Sequence, residues 1–282
     1  MCLYMKIWWG KYELEKNQAG FWKIGPLSLH IEHKTHEWVV KSAQENDPLA
    51  SHLECEVPTQ KKSEIIQGSL SHFAVIAEDN QLYLSPMLAD RPIITRPEEE
   101  LYILPQEKAL LYVSTPLWLN ISLQSAHTVL AEIPLYRPSD TWFGENTLEG
   151  QLCYASKTFS QLDLSAIPLT PHRATTAVIV HNMTALPFCL KKLSLPTPYL
   201  SLFVSETQEL WTESVKLEVK SDSPFAPLQL KAKPPLHVKM EKRICNPRIK
   251  STPNLALRTF QILFGKKKEI SDELLFGGFS DD

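Results

Sequence analysis

Hydrophobic and polar positions alternate with a period of two in several parts of this chain. In Leu27-Ser28-Leu29-His30-Ile31-Glu32 the apolar residues stand at 27, 29 and 31 and the polar ones between them, the pattern of a half-buried strand. His33-Lys34-Thr35-His36 interrupts it and Glu37-Trp38-Val39-Val40 resumes an apolar run, so this region predicts a hairpin. Residues 41–64 are polar, carry Pro48 and Pro58, and read as a loop or linker. Beyond them, short windows rich in Val, Ile, Leu, Tyr and Phe recur at 72–77, 81–85, 100–104, 109–114, 117–123 and 128–135. A second set follows at 150–156, 174–181, 188–195, 199–205, 214–220 and 228–232. Prolines separate or edge these windows, as expected of a residue that cannot donate to a sheet ladder. No helical pattern of 10–15 residues lies among them, which argues for antiparallel sandwich architecture rather than a parallel α/β sheet. Between Ala177 and Phe188 the pattern is strand, turn, strand, with Asn182 and Thr184 supplying the turn chemistry.

The expected fold is therefore mainly β, with two packed antiparallel β-sandwich-like lobes of immunoglobulin or fibronectin kind over 65–140 and 141–240. A β-rich N-terminal segment and linker over 1–64 precedes them, and a basic helical C-terminal tail over 241–282 follows. In the tail, Ser251-Thr252-Pro253-Asn254 offers a helix cap with proline in the first turn. Ala256, Phe260, Leu263 and Phe264 then share one helical face, Arg258 points elsewhere, and Lys266, Lys267 and Lys268 follow the stop at Gly265. Such a helix suits an interfacial anchor, and equally a helix docked on its own protein with lysines at its dipole's negative end.

Charge sharpens the contrast. The whole chain carries a net charge of −3, but residues 231–268 hold eleven Lys/Arg and one acid, a net +10. That density suits an anionic partner, whether lipid headgroups, nucleic acid or an acidic protein face, and equally a solvated linker and tail. The basic residues lack the aromatic interleaving of a single-strand platform and the rest of the chain is acidic, so no nucleic acid is expected. Lys6 and Lys11 leave no room for a signal-peptide core, and no run approaches the ~18 apolar residues of a membrane span. The expected location is cytoplasmic, peripheral to the inner membrane.

Composition removes whole classes of chemistry. The 282 residues include 21 Pro but only 9 Gly, and the stretches 69–143 and 151–264 contain no glycine. Neither the dinucleotide nor the P-loop fingerprint occurs, nor the nucleophile elbow of hydrolases. The five cysteines are far apart and never form C-x-x-C, which speaks against a disulfide framework or zinc knuckle. The sequons at Asn120 and Asn182 lie in strand-like segments and read as chance. His30, His33, His36 and Glu37 form the densest set of potential ligands. On a strand His30 and His36 share the solvent face while His33 points away, so no metal and no cofactor are expected.

Two loops remain. Arg91 and Arg96 stand in a proline-rich stretch followed by Glu98, Glu99 and Glu100, and local pairing of Arg96 with these acids is the expectation. Ser139-Asp140-Thr141-Trp142-Phe143-Gly144, running on to Gly150, sits between the two glycine-free stretches. One reading makes it a ligand cleft, with aromatic faces for stacking, Asp140 as acceptor and Trp118 nearby. The other makes it a structural corner, with Trp142 and Phe143 plugging the core and Asp140 bonding the turn.

Trp9-Gly10-Lys11-Tyr12, Ile24-Gly25-Pro26-Leu27, Glu37-Trp38, the 139–144 hexapeptide, Gly150-Gln151-Leu152-Cys153-Tyr154 and Leu195-Pro196 together resemble an uncharacterised prokaryotic family, the domain of unknown function 432. The resemblance transfers no catalytic residue. It implies genes that neighbour those of small mechanosensitive channels, and hence a cytosolic protein at the inner membrane face. The expected function is a non-enzymatic binding or regulatory module acting there on a protein partner or an anionic membrane surface. Residues 240–268 would make the contact, with Arg258, Phe260, Phe264, Lys266, Lys267 and Lys268 as the partner-binding set. The alternative is a small-ligand or carbohydrate-binding or processing protein that uses Ser139, Asp140, Thr141, Trp142, Phe143 and Gly144.

Overall fold

The computed structural model describes residues 7–61, 66–75, 79–123, 128–144, 150–158, 160–220, 228–230, 235 and 238–250. The chain is mainly β, as its alternation predicts, with strands from Gly10 to Cys245 and two short 3-10 turns among the described residues. The helix expected over 255–264, with Arg258, Phe260, Phe264 and Lys266–Lys268, lies outside the described residues.

Among the described residues five open sheets make up the body. The first orders Gly10–Glu13, Gln81–Met87, Trp118–Leu123 and Thr128–Pro134, all antiparallel. The second has Leu27–His33 at its centre, flanked by Gln18–Ile24 and Glu37–Gln44 and edged by Leu53–Glu56 and Ser69–Ala74. The largest is built on Arg173–Asn182, which pairs antiparallel with Lys108–Pro116 along its full length. Its other side runs parallel to Leu210–Thr212 and Val215–Val219, and Leu202–Ser205, Met240–Cys245 and Leu228–Leu230 extend the sheet. Ser139–Phe143, Gln151–Ala155, Ile93–Thr95 and Leu193–Leu195 form a mixed sheet, and Leu101–Ile103 pairs with Phe188–Leu190.

Each of the five sheets joins strands from more than one of the segments 1–64, 65–140, 141–240 and 241–282. Their apolar faces meet in one core that runs from Trp8 through Trp22, Trp38, Leu119 and Val178 to Val219. The stretch after 240, read from sequence as a tail, begins as a strand against Leu202–Ser205. Arg248 then docks on the body, donating to the Leu88 carbonyl and pairing with Glu132 at 2.7 Å.

The hairpin expected at 27–40 forms. His33 is buried and His36 exposed, as the alternation predicts, and Ser28 and Glu32 are half-buried, but His30, expected on the solvent side, is buried. Leu27–His33 is a central strand, and the chain at Lys61 covers its second face at this point, so His30 bonds the Lys61 carbonyl at 3.1 Å. Burial pushes the His30 imidazole down from its ordinary value. His33 bonds the Leu14 carbonyl through Nδ1 and stacks on Trp38 at 4.2 Å between ring centres. Among the described residues no group of three or more His, Cys, Asp or Glu is placed to hold a metal ion.

The turn before this strand depends on Gly25, whose φ is 54°. A Cβ built there would stand 2.3 Å from His172 Nδ1, across the core contact between this turn and residue 172. Gly25→Ala is expected to cost about 2 kcal/mol, combining the left-handed backbone penalty with displacement of a buried ring. Urea denaturation of the variant against wild type checks it.

Candidate functional site

Ser139–Phe143, read from sequence as a loop, is an edge strand of the mixed sheet, paired antiparallel with Gln151–Ala155. Its side chains separate by face. Phe143 is buried with Cys153 and Ile94, so the corner reading holds for this ring. Trp142 lies on the opposite face and remains 44% exposed, and its cross-strand neighbour Leu152 is 43% exposed. Gly150 makes room for the indole: a Cβ there would stand 1.9 Å from Trp142 Nε1. Gly144, at φ 159°, is nearly extended.

Among the described residues Asp140 is engaged by two arginines. Its Oδ1 accepts from Arg91 Nη1 at 3.1 Å, and its Oδ2 from Arg137 Nη2 at 3.1 Å. Asp140 faces Tyr154 across the strand pair, and the two guanidinium groups lie over the Tyr154 ring at 5.3 and 5.9 Å. The Tyr154 hydroxyl donates to Asp90 at 3.0 Å, and burial together with that carboxylate pushes its phenol upward. Trp118 is near, as expected, but it packs 5.4 Å from the Tyr154 ring and is itself buried. The result is a layered clamp of indole, phenol and two arginines closed by one carboxylate. It ties the hairpin to the chain at 90–91 and at 137.

Cys153, on the buried face, has its thiol pushed up to about 11 by burial, so it is held as the thiol and not the nucleophilic thiolate. Arg96 makes no ion pair among the described residues, contrary to the expectation of local pairing. The acids after it are engaged elsewhere, Glu100 with Lys191 at 3.1 Å and Glu98 with Gln161. Arg137 and Tyr154 were missed as members of the site, and Arg91 was not connected to it. Arg91 lies 49 residues from Asp140, and no local pattern reports a pairing at that separation.

Arg137 also borders a recess of about 330 Å³ between the edge of the second sheet and Pro134, with Gln44, Gln67 and Ser69 in its wall. Gln44 spans it, bonding the Pro134 carbonyl and accepting from the Arg137 backbone N–H.

Because Asp140 and Arg137 are about half exposed, the clamp is a screened surface bridge. Asp140→Ala is expected to lower stability by less than ~1 kcal/mol and to leave the protein folded. Thermal melts at low and high salt check this, with the wild-type margin shrinking as salt rises.

The fold and this hairpin define a mainly-β protein that presents an aromatic–aliphatic pair on a strapped edge hairpin. The chain belongs to the family described as protein of unknown function (DUF432), whose model matches residues 8–264. No curated protein and no solved structure matches it. No helix among the described residues is long and apolar enough to cross a membrane.

Proposed function

We propose that this chain is a non-enzymatic binding module that engages a protein partner at the cytosolic face of the membrane, with the 139–155 hairpin as its contact surface. The observation that carries the reading is the exposed pair Trp142 and Leu152, cross-strand neighbours at the sheet edge. Tryptophan, tyrosine and arginine are the residues that dominate binding energy at protein interfaces. Here the Asp140 bridge holds two arginines beside the pair, so little ordering remains to be done on binding. Ser139–Phe143 is paired on one side only within its sheet, which offers backbone groups to an added strand. The membrane half of the reading rests on the +10 stretch 231–268 and its amphipathic segment.

The test is co-sedimentation of the full chain with membranes of its own host. Wild type is expected to pellet, and shaving the membranes with protease should remove all but the part held by anionic lipid. Trp142→Ser with Leu152→Ser should weaken it at least tenfold, on the order of 1.4 kcal/mol or more. A chain ending at residue 250 should lose the part that responds to anionic lipid. Failure of the wild type to pellet, or undiminished binding by the double variant, refutes the reading.

A second reading, small-ligand or carbohydrate binding, is favoured by the polar recess beside Arg137 and by the indole on Gly150. Its intended acceptor, Asp140, is already shared between two guanidinium groups. A ligand screen by thermal shift, in which Trp142→Ala loses a hit that Asp140→Ala retains, would favour it over the first.

A further inference from the structure

Arg173 opens the strand Arg173–Asn182 and is only 5% exposed. Its Nε donates to Ser114 Oγ at 2.8 Å, and its Nη2 to the Ser114 carbonyl at 2.8 Å and Thr158 Oγ1 at 2.9 Å. All three acceptors are neutral. Among the described residues the bonds of the guanidinium run from Nε and Nη2, and no carboxylate pairs with it. Desolvation pushes Arg173 down to about 10, which still leaves it charged at neutral pH.

The guanidinium borders a recess walled also by Ser114, Pro168, Thr170, Glu209 and Leu210. The recess is partly open, and its inner space of about 10 Å³ has room for one species of the size of a water molecule or a small ion. Thr170 is 7% exposed and its hydroxyl is buried without a partner. Glu209, the acidic residue in this wall, accepts from Trp211 Nε1 at 3.1 Å and makes no ion pair with Arg173.

A water molecule would meet the hydrogen-bonding needs of Nη1 and leave the charge uncompensated. Burying a lone cation is costly unless a counter-charge accompanies it. We propose that the recess at Arg173 is a binding site for a single small inorganic anion of halide size, held by the Arg173 guanidinium with the Thr170 hydroxyl as second donor. This site is separate from the hairpin surface and does not depend on the function proposed for it.

The test compares chloride with gluconate at constant ionic strength on the full-length chain. Chloride is expected to raise the melting temperature, by about 3 °C at ten times its dissociation constant and logarithmically beyond it. Arg173→Gln should abolish the rise. Thr170→Val, which keeps the charge, should need about tenfold more chloride for the same rise, and it stands in if the arginine variant does not fold. Crystals grown in bromide should show an anomalous peak within hydrogen-bond distance of Arg173 Nη1. Equal melting in chloride and gluconate, a response undiminished in both variants, or bromide bound only elsewhere would each overturn the proposal.

Discussion

Asn182→Ala is expected to destabilise the protein by about 3 kcal/mol, because one buried amide makes five hydrogen bonds and its loss takes the partner from the buried bonds to the Ile103 carbonyl and the Thr184 N–H. Asn182 is fully buried at the end of the strand Arg173–Asn182. Its Nδ2 donates to the carbonyls of Ile103, Leu104 and Leu186 at 2.9, 3.2 and 2.8 Å. Its Oδ1 accepts from the Thr184 N–H at 3.0 Å and the Thr184 hydroxyl at 2.8 Å. Three carbonyls on one side and two donors on the other fix the orientation of the amide. Asn182→Asp separates the two roles. It keeps the acceptor toward Thr184 but turns an oxygen toward three carbonyls, so it is expected to be at least as damaging as alanine. Denaturant melts of both variants check this, and an aspartate variant that retained wild-type stability would show that the donor side carries little.

The same residue shows how far local pattern reaches. The turn chemistry of Asn182 and Thr184 is readable because side chain to backbone bonds two residues on are local. That the amide also holds Ile103 and Leu104, nearly eighty residues earlier, is not. Strand windows were legible for the same reason: alternation and β-branched residues mark Gln81–Met87, Trp118–Leu123 and Val215–Val219 as strands. Three-residue strands such as Ile93–Thr95 and Leu210–Thr212 are too short for a period to register. Alternation also says nothing about partners. Lys108–Pro116 pairs with Arg173–Asn182 across the boundary near 140 that composition suggests, and a period of two cannot reveal it. His30 shows the related gap. Its polar position implied solvent, yet the chain at Lys61 covers the strand at this point, and its ring bonds a carbonyl instead of water.

At the hairpin, the two glycines that mark the 139–150 segment in the sequence play different parts in the structure. Gly150 matters because an indole lies against it, and Gly144 is nearly extended. The hexapeptide 139–144 reads as a loop because it opens on Ser and Asp and closes on Gly, yet five of its residues form a strand held by the register with Gln151–Ala155. The arginines that clamp Asp140 come from two other connections, so the site is a product of tertiary pairing.

His172 should make this protein acid-sensitive well above the carboxylate range. The ring is fully buried beside Gly25, its Nε2 donates to the Pro48 carbonyl at 2.9 Å, and its Nδ1 has no partner. A second proton would sit on Nδ1, in the core, facing no acceptor. Burial, with the neighbouring Arg173 charge adding to it, pushes the imidazole down to about 4 from its ordinary 6.5. The unfolded chain therefore binds a proton that the folded one refuses over that interval, and stability falls as pH falls through it. The stabilisation is fully present above pH 6.5; about 2 kcal/mol is lost by pH 5 and about 3 by pH 4. His30, also held low by burial, acts in the same direction. Exposed carboxylates whose pKa is lowered, Glu37 and Glu45 among them, lose their contribution only below about pH 4.5. Glu213, whose carboxyl burial pushes up, takes its proton first in the folded state and offsets part of the fall, so the slope between pH 6.5 and 4.5 is the histidines' contribution less that of Glu213. Urea midpoints measured in half-unit steps should fall through this window for wild type, and His172→Gln should flatten most of that slope while lowering the plateau at pH 7. An unchanged slope in the variant would assign the acid sensitivity elsewhere.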